Sequence, residues 1–175
     1  MSFGIWYRSS DEGNGSLVGW TDSDYAGDYD DRKSTSGYVF TLGTSAISWS
    51  SKKQPIVTLS TTEAEFVSAA ACACQAMWLR YILKHLNEDK MKCTTIYCDN
   101  SSSIKLSKNP VMHGRSKHID VRYHFLRDLN NDGVMELKHC RSEKQLADIM
   151  TKALKVDTFC RLREGLGVYD FDCVS

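Results

Sequence analysis

The chain has 175 residues, 42% hydrophobic, 25% charged and 10% aromatic, with 22 basic and 22 acidic side chains and a formal net charge of zero. That length suits one globular domain around a single core, and the ordinary composition excludes fibrous, disordered and disulfide-scaffold classes. Zero net charge excludes a strongly basic nucleic-acid binder, so a polyanionic partner must be held by a local patch or through metal ions.

In chain order, Leu17–Asp22, Gly37–Leu42 and Ala46–Ser50 read as strands, the third alternating apolar and polar residues. The polar stretch Gly27–Ser36 separates the first two, and Gly43-Thr44 links the next two tightly, which predicts an antiparallel meander. A helical period follows from about Thr61 to Leu86, with Val67, Ala70, Ala71, Cys74, Trp78, Tyr81 and Ile82 as its stripe. Ser60 as N-cap and Glu63 three residues on form a capping box.

Thr94–Cys98 is a fourth strand, followed by a short helix through Leu106 that Asn109-Pro110 ends. A helix over His118–Leu129, a fifth strand Val134–Lys138 and a last helix Glu143–Leu154, with an extension over Thr158–Leu166, complete the chain. There is no internal repeat, low-complexity segment or linker. The order βββαβαβα predicts one α/β domain with a mixed five-stranded sheet.

The seven cysteines, Cys72, Cys74, Cys93, Cys98, Cys140, Cys160 and Cys173, are odd in number and include no Cys-x-x-Cys, which implies a reducing compartment. No apolar run approaches the ~20 residues of a membrane span, and Met1–Tyr7 has no secretory character. An intracellular protein without a membrane partner is expected.

Asp22 ends the first strand, Glu65 lies in the first turn of the long helix, Asp99 follows the fourth strand, and Asp148 lies near the start of the last helix. Phosphodiester hydrolysis uses such a cluster, because two Mg²⁺ ions ~4 Å apart can activate water and stabilise the leaving oxygen, and Mg²⁺ prefers carboxylate oxygens. Each acid alone could be merely solvated. Glu63 has its capping role, which leaves Glu65 without a structural one. Aspartate at a strand end runs against β-propensity, although helix N-cap duty could account for Asp99 or for Asn100.

Seven motifs occur in order: Thr21-Asp22-Ser-Asp24-Tyr-Ala-Gly27, Asp31-Arg-Lys-Ser-Thr-Ser-Gly-Tyr38, Trp49-Ser-Ser-Lys-Lys-Gln54, Leu59-Ser-Thr-Thr-Glu-Ala-Glu65, Cys98-Asp-Asn100, Lys117-His-Ile-Asp120 and Ala147-Asp-Ile-Met-Thr-Lys152. From about Phe3 to Val168 the chain resembles the ribonuclease H region of copia-type LTR retrotransposon pol polyproteins, especially plant ones. The resemblance implies an RNase H-like fold and a metal-dependent endoribonuclease that cuts the RNA strand of RNA/DNA hybrids during reverse transcription. It implies Asp22, Glu65, Asp99 and Asp148 as catalytic and metal-binding residues, with Asp24 as substitute for Asp22.

Two Mg²⁺ ions, or Mn²⁺, are the implied cofactors. The implied partners are the hybrid and the reverse transcriptase portion of the parent polyprotein, in a cytoplasmic virus-like particle or the nucleus. Ser101 and Ser103 depart mildly from the family pattern. Phe3–Tyr7 resembles the stretch after the reverse transcriptase, so residues 1–14 read as a remnant of that connection, 15–156 as the domain and 157–175 as a C-terminal helix and tail. A catalytically idle remnant that binds nucleic acid or protein is the alternative.

Lys108, Arg115, Lys117, Arg122 and Arg127, against Asp120, could track hybrid phosphates; a solvated face is the competing reading. His118 and Arg122 share a helix face. The spacing of His113, His118 and His124 matches no closed zinc site. His139 could serve proton transfer or product release, against a plain surface histidine. Ser60, Thr61 and Thr62 could meet a phosphate or 2′-hydroxyl, although capping alone explains Ser60. Trp20, Trp49 and Trp78 read as core rather than as a base-stacking platform.

Overall fold

The computed structural model describes residues 2–8, 15–86, 93–108 and 117–171, with the backbone alone for 117–120. In chain order the strands are β1 (Phe3–Ile5), β2 (Leu17–Asp24), β3 (Thr35–Leu42), β4 (Ser45–Lys53), β5 (Thr94–Cys98), β6 (Met135–His139) and β7 (Val168–Asp170). The helices are α1 (Thr61–His85), α2 (Ser101–Lys108), α3 (Lys117–Asn131) and α4 (Val156–Gly165).

Five strands form one mixed sheet in the order β4-β3-β2-β5-β6, as expected from the sequence. The β2–β3 and β3–β4 pairs are antiparallel, and β2–β5 and β5–β6 are parallel. Gly43, at φ +65°, allows the tight link between β3 and β4. β1 pairs with β7 in a separate two-stranded sheet, so the N-terminal segment and the C-terminal tail meet.

One sheet face is covered by α1, α2 and α3, around Phe40, Phe66, Ala69, Ala73, Ile96, Leu126 and Leu137. The other carries Val39 and Ala46 beneath Leu146, Ile149, Met150 and Leu166. Phe66 of α1 stacks on Tyr123 of α3 with ring centroids 4.2 Å apart, which fixes the two helices against each other.

Ser60 has extended backbone and its Oγ accepts from Glu63 N at 3.1 Å, so the expected cap forms. The Glu63 carboxylate reaches back to Leu59 N at 2.8 Å rather than to Ser60 N. The expected stripe is largely wrong. Val67 and Ala70 are buried, but Ala71, Cys74, Trp78, Tyr81 and Ile82 are exposed. Apolar residues surround α1, so a 3.6-residue period does not single out its packed side. The small residues do: Ala64, Ser68, Ala69, Cys72, Ala73 and Ala76 are buried and let the helix lie close to the sheet. The bulky residues are displaced outward, and Trp78 and Trp49 are 55% and 53% exposed, not core.

By length and composition alone α1 is long and apolar enough to cross a membrane, with mean hydropathy 1.3 over its best window. Its burial of Phe66, Ala69 and Ala73 beneath the sheet is that of a core helix.

The helix expected over Glu143–Leu154 is replaced by two 3₁₀ turns, Ser142–Lys144 and Leu146–Met150. Gln145 stands between them in extended backbone. Its fully buried side chain donates from Nε2 to Thr21 O at 3.0 Å and accepts at Oε1 from Ala147 N at 3.3 Å. These bonds tie the segment to β2, and tertiary contact overrides helical propensity there.

Candidate metal centre

β2 and β5 are parallel neighbours, so their C-terminal ends lie side by side. That places Asp22 of β2 beside Asp99, the residue after β5. α1 packs across β2 and brings Glu65 from its first turns, and the second 3₁₀ turn brings Asp148 from the opposite face. The ligand atoms of Asp22, Asp99 and Asp148 lie within 4.8 Å of one another, as do those of Glu65, Cys98 and Asp99. All four carboxylates singled out in the sequence therefore converge, with Asp99 common to both groups. Asp24 belongs to neither.

Hydrogen bonds fix each acid. Glu65 Oε1 accepts from Ser23 N at 3.2 Å and Oε2 from Cys98 Sγ at 3.8 Å. Asp99 Oδ2 accepts from Ser142 Oγ at 3.0 Å. Asp22 Oδ2 accepts from Thr151 Oγ1, and the Asp22 carbonyl accepts from Ser68 Oγ at 2.7 Å. Lys152 Nζ lies 3.0 Å from Asp148 Oδ1 and 3.5 Å from Asp22 Oδ2.

Asp22, Glu65 and Asp148 are only 2%, 6% and 6% exposed. Burial, then the charges of Asp22 and Asp99, raise Glu65 to about 9. Burial, then the charge of Asp22, raises Asp148 to about 6, against the opposing pull of Lys152. Crowded acids at the edge of ionisation are a site that added positive charge would relieve. Burial and the neighbouring Glu65 push the Cys98 thiol far up, so it stays neutral. Carboxylate oxygens without a thiolate suit a hard cation such as Mg²⁺ or Mn²⁺ rather than a thiolate-bound metal.

The remaining candidates are placed elsewhere or have other duties. Ser60 caps α1. Thr61 is exposed and Thr62 half-buried on its first turn. Asn100 Oδ1 caps α2, accepting from Ser102 N and Ser103 N, both at 3.0 Å. Arg115 lies outside the described residues, as does His113, and of Lys117 and His118 only the helical backbone is described. Arg122 lines a separate groove with Ser36, Lys52 and Phe125. His139 is exposed at the end of β6, on the rim of a cavity floored by Trp20 and Tyr97.

Four residues of the centre were given no role from the sequence: Ser68, Ser142, Thr151 and Lys152. The i, i+4 spacing from Asp148 was a legible signal for Lys152. Ser142 and Ser68 reach the site through tertiary folding and carry no local signal.

No family model matches the chain. It is 42% identical over 153 residues to the retrovirus-related Pol polyprotein from transposon TNT 1-94 of Nicotiana tabacum, covering 87% of this chain and 11% of that protein. It is likewise 42% identical over 153 residues to that from transposon RE1 of Arabidopsis thaliana, covering 87% of this chain and 10% of that protein. The chain thus spans about a tenth of the length of these curated relatives.

Among solved structures, the N-terminal RNase H domain of rv2228c from Mycobacterium tuberculosis matches with a TM-score of 0.57 at 11% identity, over 86% of this chain and 97% of that one. LC11-RNase H1 in complex with an RNA/DNA hybrid matches with a TM-score of 0.53 at 14% identity, over 78% and 94%.

Proposed function

Since this chain is a homologue of plant retrovirus-related Pol polyproteins and has the ribonuclease H fold, we propose that it is a metal-dependent endoribonuclease of the copia type. Its reaction is hydrolysis of the RNA strand of an RNA/DNA hybrid to 5′-phosphate products. The observation that carries this reading is the convergence of Asp22, Glu65 and Asp148, all buried, on the half-buried Asp99.

Asp22, Asp99 and Asp148 would hold one divalent ion, and Glu65 with Asp99 a second, which makes Asp99 the shared ligand. When bound, Mg²⁺ or Mn²⁺ would lower the pKa of water and stabilise the charge on the leaving RNA 3′-oxygen. The chain's own contribution is to position. Ser142 aims Asp99, Thr151 and Ser68 fix Asp22, and Gln145 holds the turn that carries Asp148. Glu65 must release the proton that burial favours before it can ligate. Selectivity for RNA rests on the 2′-hydroxyl and duplex shape rather than base sequence. In a parent polyprotein the hybrid would come from a reverse transcriptase portion, in a virus-like particle or the nucleus.

The test is incubation of RNA annealed to DNA with Mg²⁺ and then Mn²⁺, beside Asp99→Asn and a single-stranded RNA control. Hybrid-specific cutting that disappears in Asp99→Asn is expected. A folded protein inert with both metals overturns the nuclease reading and leaves the idle, binding-only remnant.

A further inference from the structure

A second cavity lies directly behind the carboxylates. Trp20 and Tyr97 are partners across the parallel β2–β5 pair, and their rings lie 5.6 Å apart. Trp20 precedes Asp22 by two residues and Tyr97 precedes Asp99 by two. Strand alternation puts each aromatic on the same sheet face as its acid, about 7 Å behind it. Both rings are half-buried. They floor a cavity of about 800 Å³ closed by Leu146 and Leu162, whose rim carries Arg141, Lys144, Arg161 and His139 against one acid, Glu143. In a chain of zero net charge this excess of cations over an aromatic floor is local.

Flat apolar faces ringed by cations suit a base flanked by phosphates. The base must be unpaired, because in a duplex both of its faces are occupied by its neighbours. We infer that this cavity binds an unpaired nucleotide of a single strand continuous with the strand presented to Asp22 and Asp99. The inference rests on the nuclease reading for that continuity, but the binding does not need cleavage. The first 3₁₀ turn joins the two sites: its Ser142 holds Asp99, while its Lys144 stands on the cavity rim.

The experiment is fluorescence anisotropy with a labelled oligothymidylate of roughly 15 nucleotides, in EDTA so that neither metal nor cleavage contributes. Tyr97→Leu keeps an apolar floor but removes a stacking face, and should weaken binding about tenfold. Arg161→Glu combined with Lys144→Glu changes exposed rim positions; it should weaken binding by a similar factor and reduce the salt slope by about two. An abasic oligomer of the same length should bind wild type no better than oligothymidylate binds Tyr97→Leu. Melting temperatures show that each variant folds.

No binding by wild type, or equal affinity in folded Tyr97→Leu, overturns the inference even if hybrids are cut. Binding that depends on Tyr97 in a protein that cuts no hybrid keeps the single-strand site but removes the nuclease reading and, with it, the continuity with a strand at Asp22 and Asp99.

Discussion

The ammonium of Lys152 lies 3.0 Å from the Asp148 carboxylate, four residues earlier in the chain. The same nitrogen is 3.5 Å from Asp22. Asp22 and Asp148 are buried, so their mutual repulsion is poorly screened by water, and Lys152 sets a full positive charge against both of them. It thereby competes with a divalent ion for the same oxygens. Whatever stabilises the metal-free state more than the loaded state weakens metal binding. Lys152→Met should lower stability in EDTA by about 1–2 kcal/mol, after discounting a 39% exposed ammonium, and the melting temperature with it. It should also tighten Mn²⁺ binding, measured by calorimetry, on the order of tenfold. Unchanged or weaker Mn²⁺ binding would mean that Lys152 assists the metal rather than replacing it.

The metal-free protein should lose stability as pH rises. Burial and the charges of Asp22 and Asp99 raise Glu65 from 4.5 to about 9, and burial with Asp22 raises Asp148 from 3.8 to about 6. A carboxyl whose pKa is higher folded than unfolded holds its proton more tightly in the native state. Its stabilisation is full below the unfolded value and is lost as pH climbs through the folded one. For Glu65 that window runs from 4.5 to about 9. Melting temperature in EDTA should fall across it, and saturating Mg²⁺ should flatten the slope. Near neutral pH, metal binding should release protons, seen as buffer-dependent binding heats. A flat profile in EDTA would contradict the burial of an un-neutralised Glu65.

Gln145 is fully buried and bonds to both Thr21 and Ala147. Gln145→Leu leaves the Thr21 carbonyl without this donor in an apolar setting, at a cost of about 1–3 kcal/mol. Because the bond ties the turn bearing Asp148 to β2, Mn²⁺ affinity should fall together with melting temperature. If only stability falls, another contact places Asp148.

The strand positions and the mixed five-stranded sheet were legible because they depend on local alternation, and the four acids because they sit in motifs. Thr94–Cys98 matches β5 at both ends. What was not legible depends on distant partners. The packed face of α1 is chosen by small residues fitting the sheet, and the apolar surround of the helix hides that choice from any periodicity. The helix expected around Asp148 gives way to 3₁₀ turns because Gln145 bonds to β2, 124 residues away. Trp20 read as core, and it is instead a half-buried floor; its pairing with Tyr97 needs the β2–β5 register, which sequence does not print.

Gly37 faces Asp22 across the β2–β3 ladder. A Cβ there would stand 2.5 Å from Thr151 Cγ2, 2.8 Å from Met150 Cβ and 3.2 Å from Ala147 O. The last two belong to the backbone-anchored turn that carries Asp148, so little can yield except the turn itself. Gly37→Ala should push Asp148 and Thr151 away from Asp22, costing about 1–3 kcal/mol as overpacking and weakening Mn²⁺ binding. Gly133 provides the comparison. It has φ +65° with nothing within 4 Å of the added atom, so Gly133→Ala should cost about 1 kcal/mol through backbone strain alone. Both variants should melt earlier than wild type, but only Gly37→Ala should bind Mn²⁺ more weakly in a titration below its melting transition. Equal Mn²⁺ affinity in the two would mean that β3 bends away from the turn, and that the absence of a side chain at Gly37 does not set the position of Asp148.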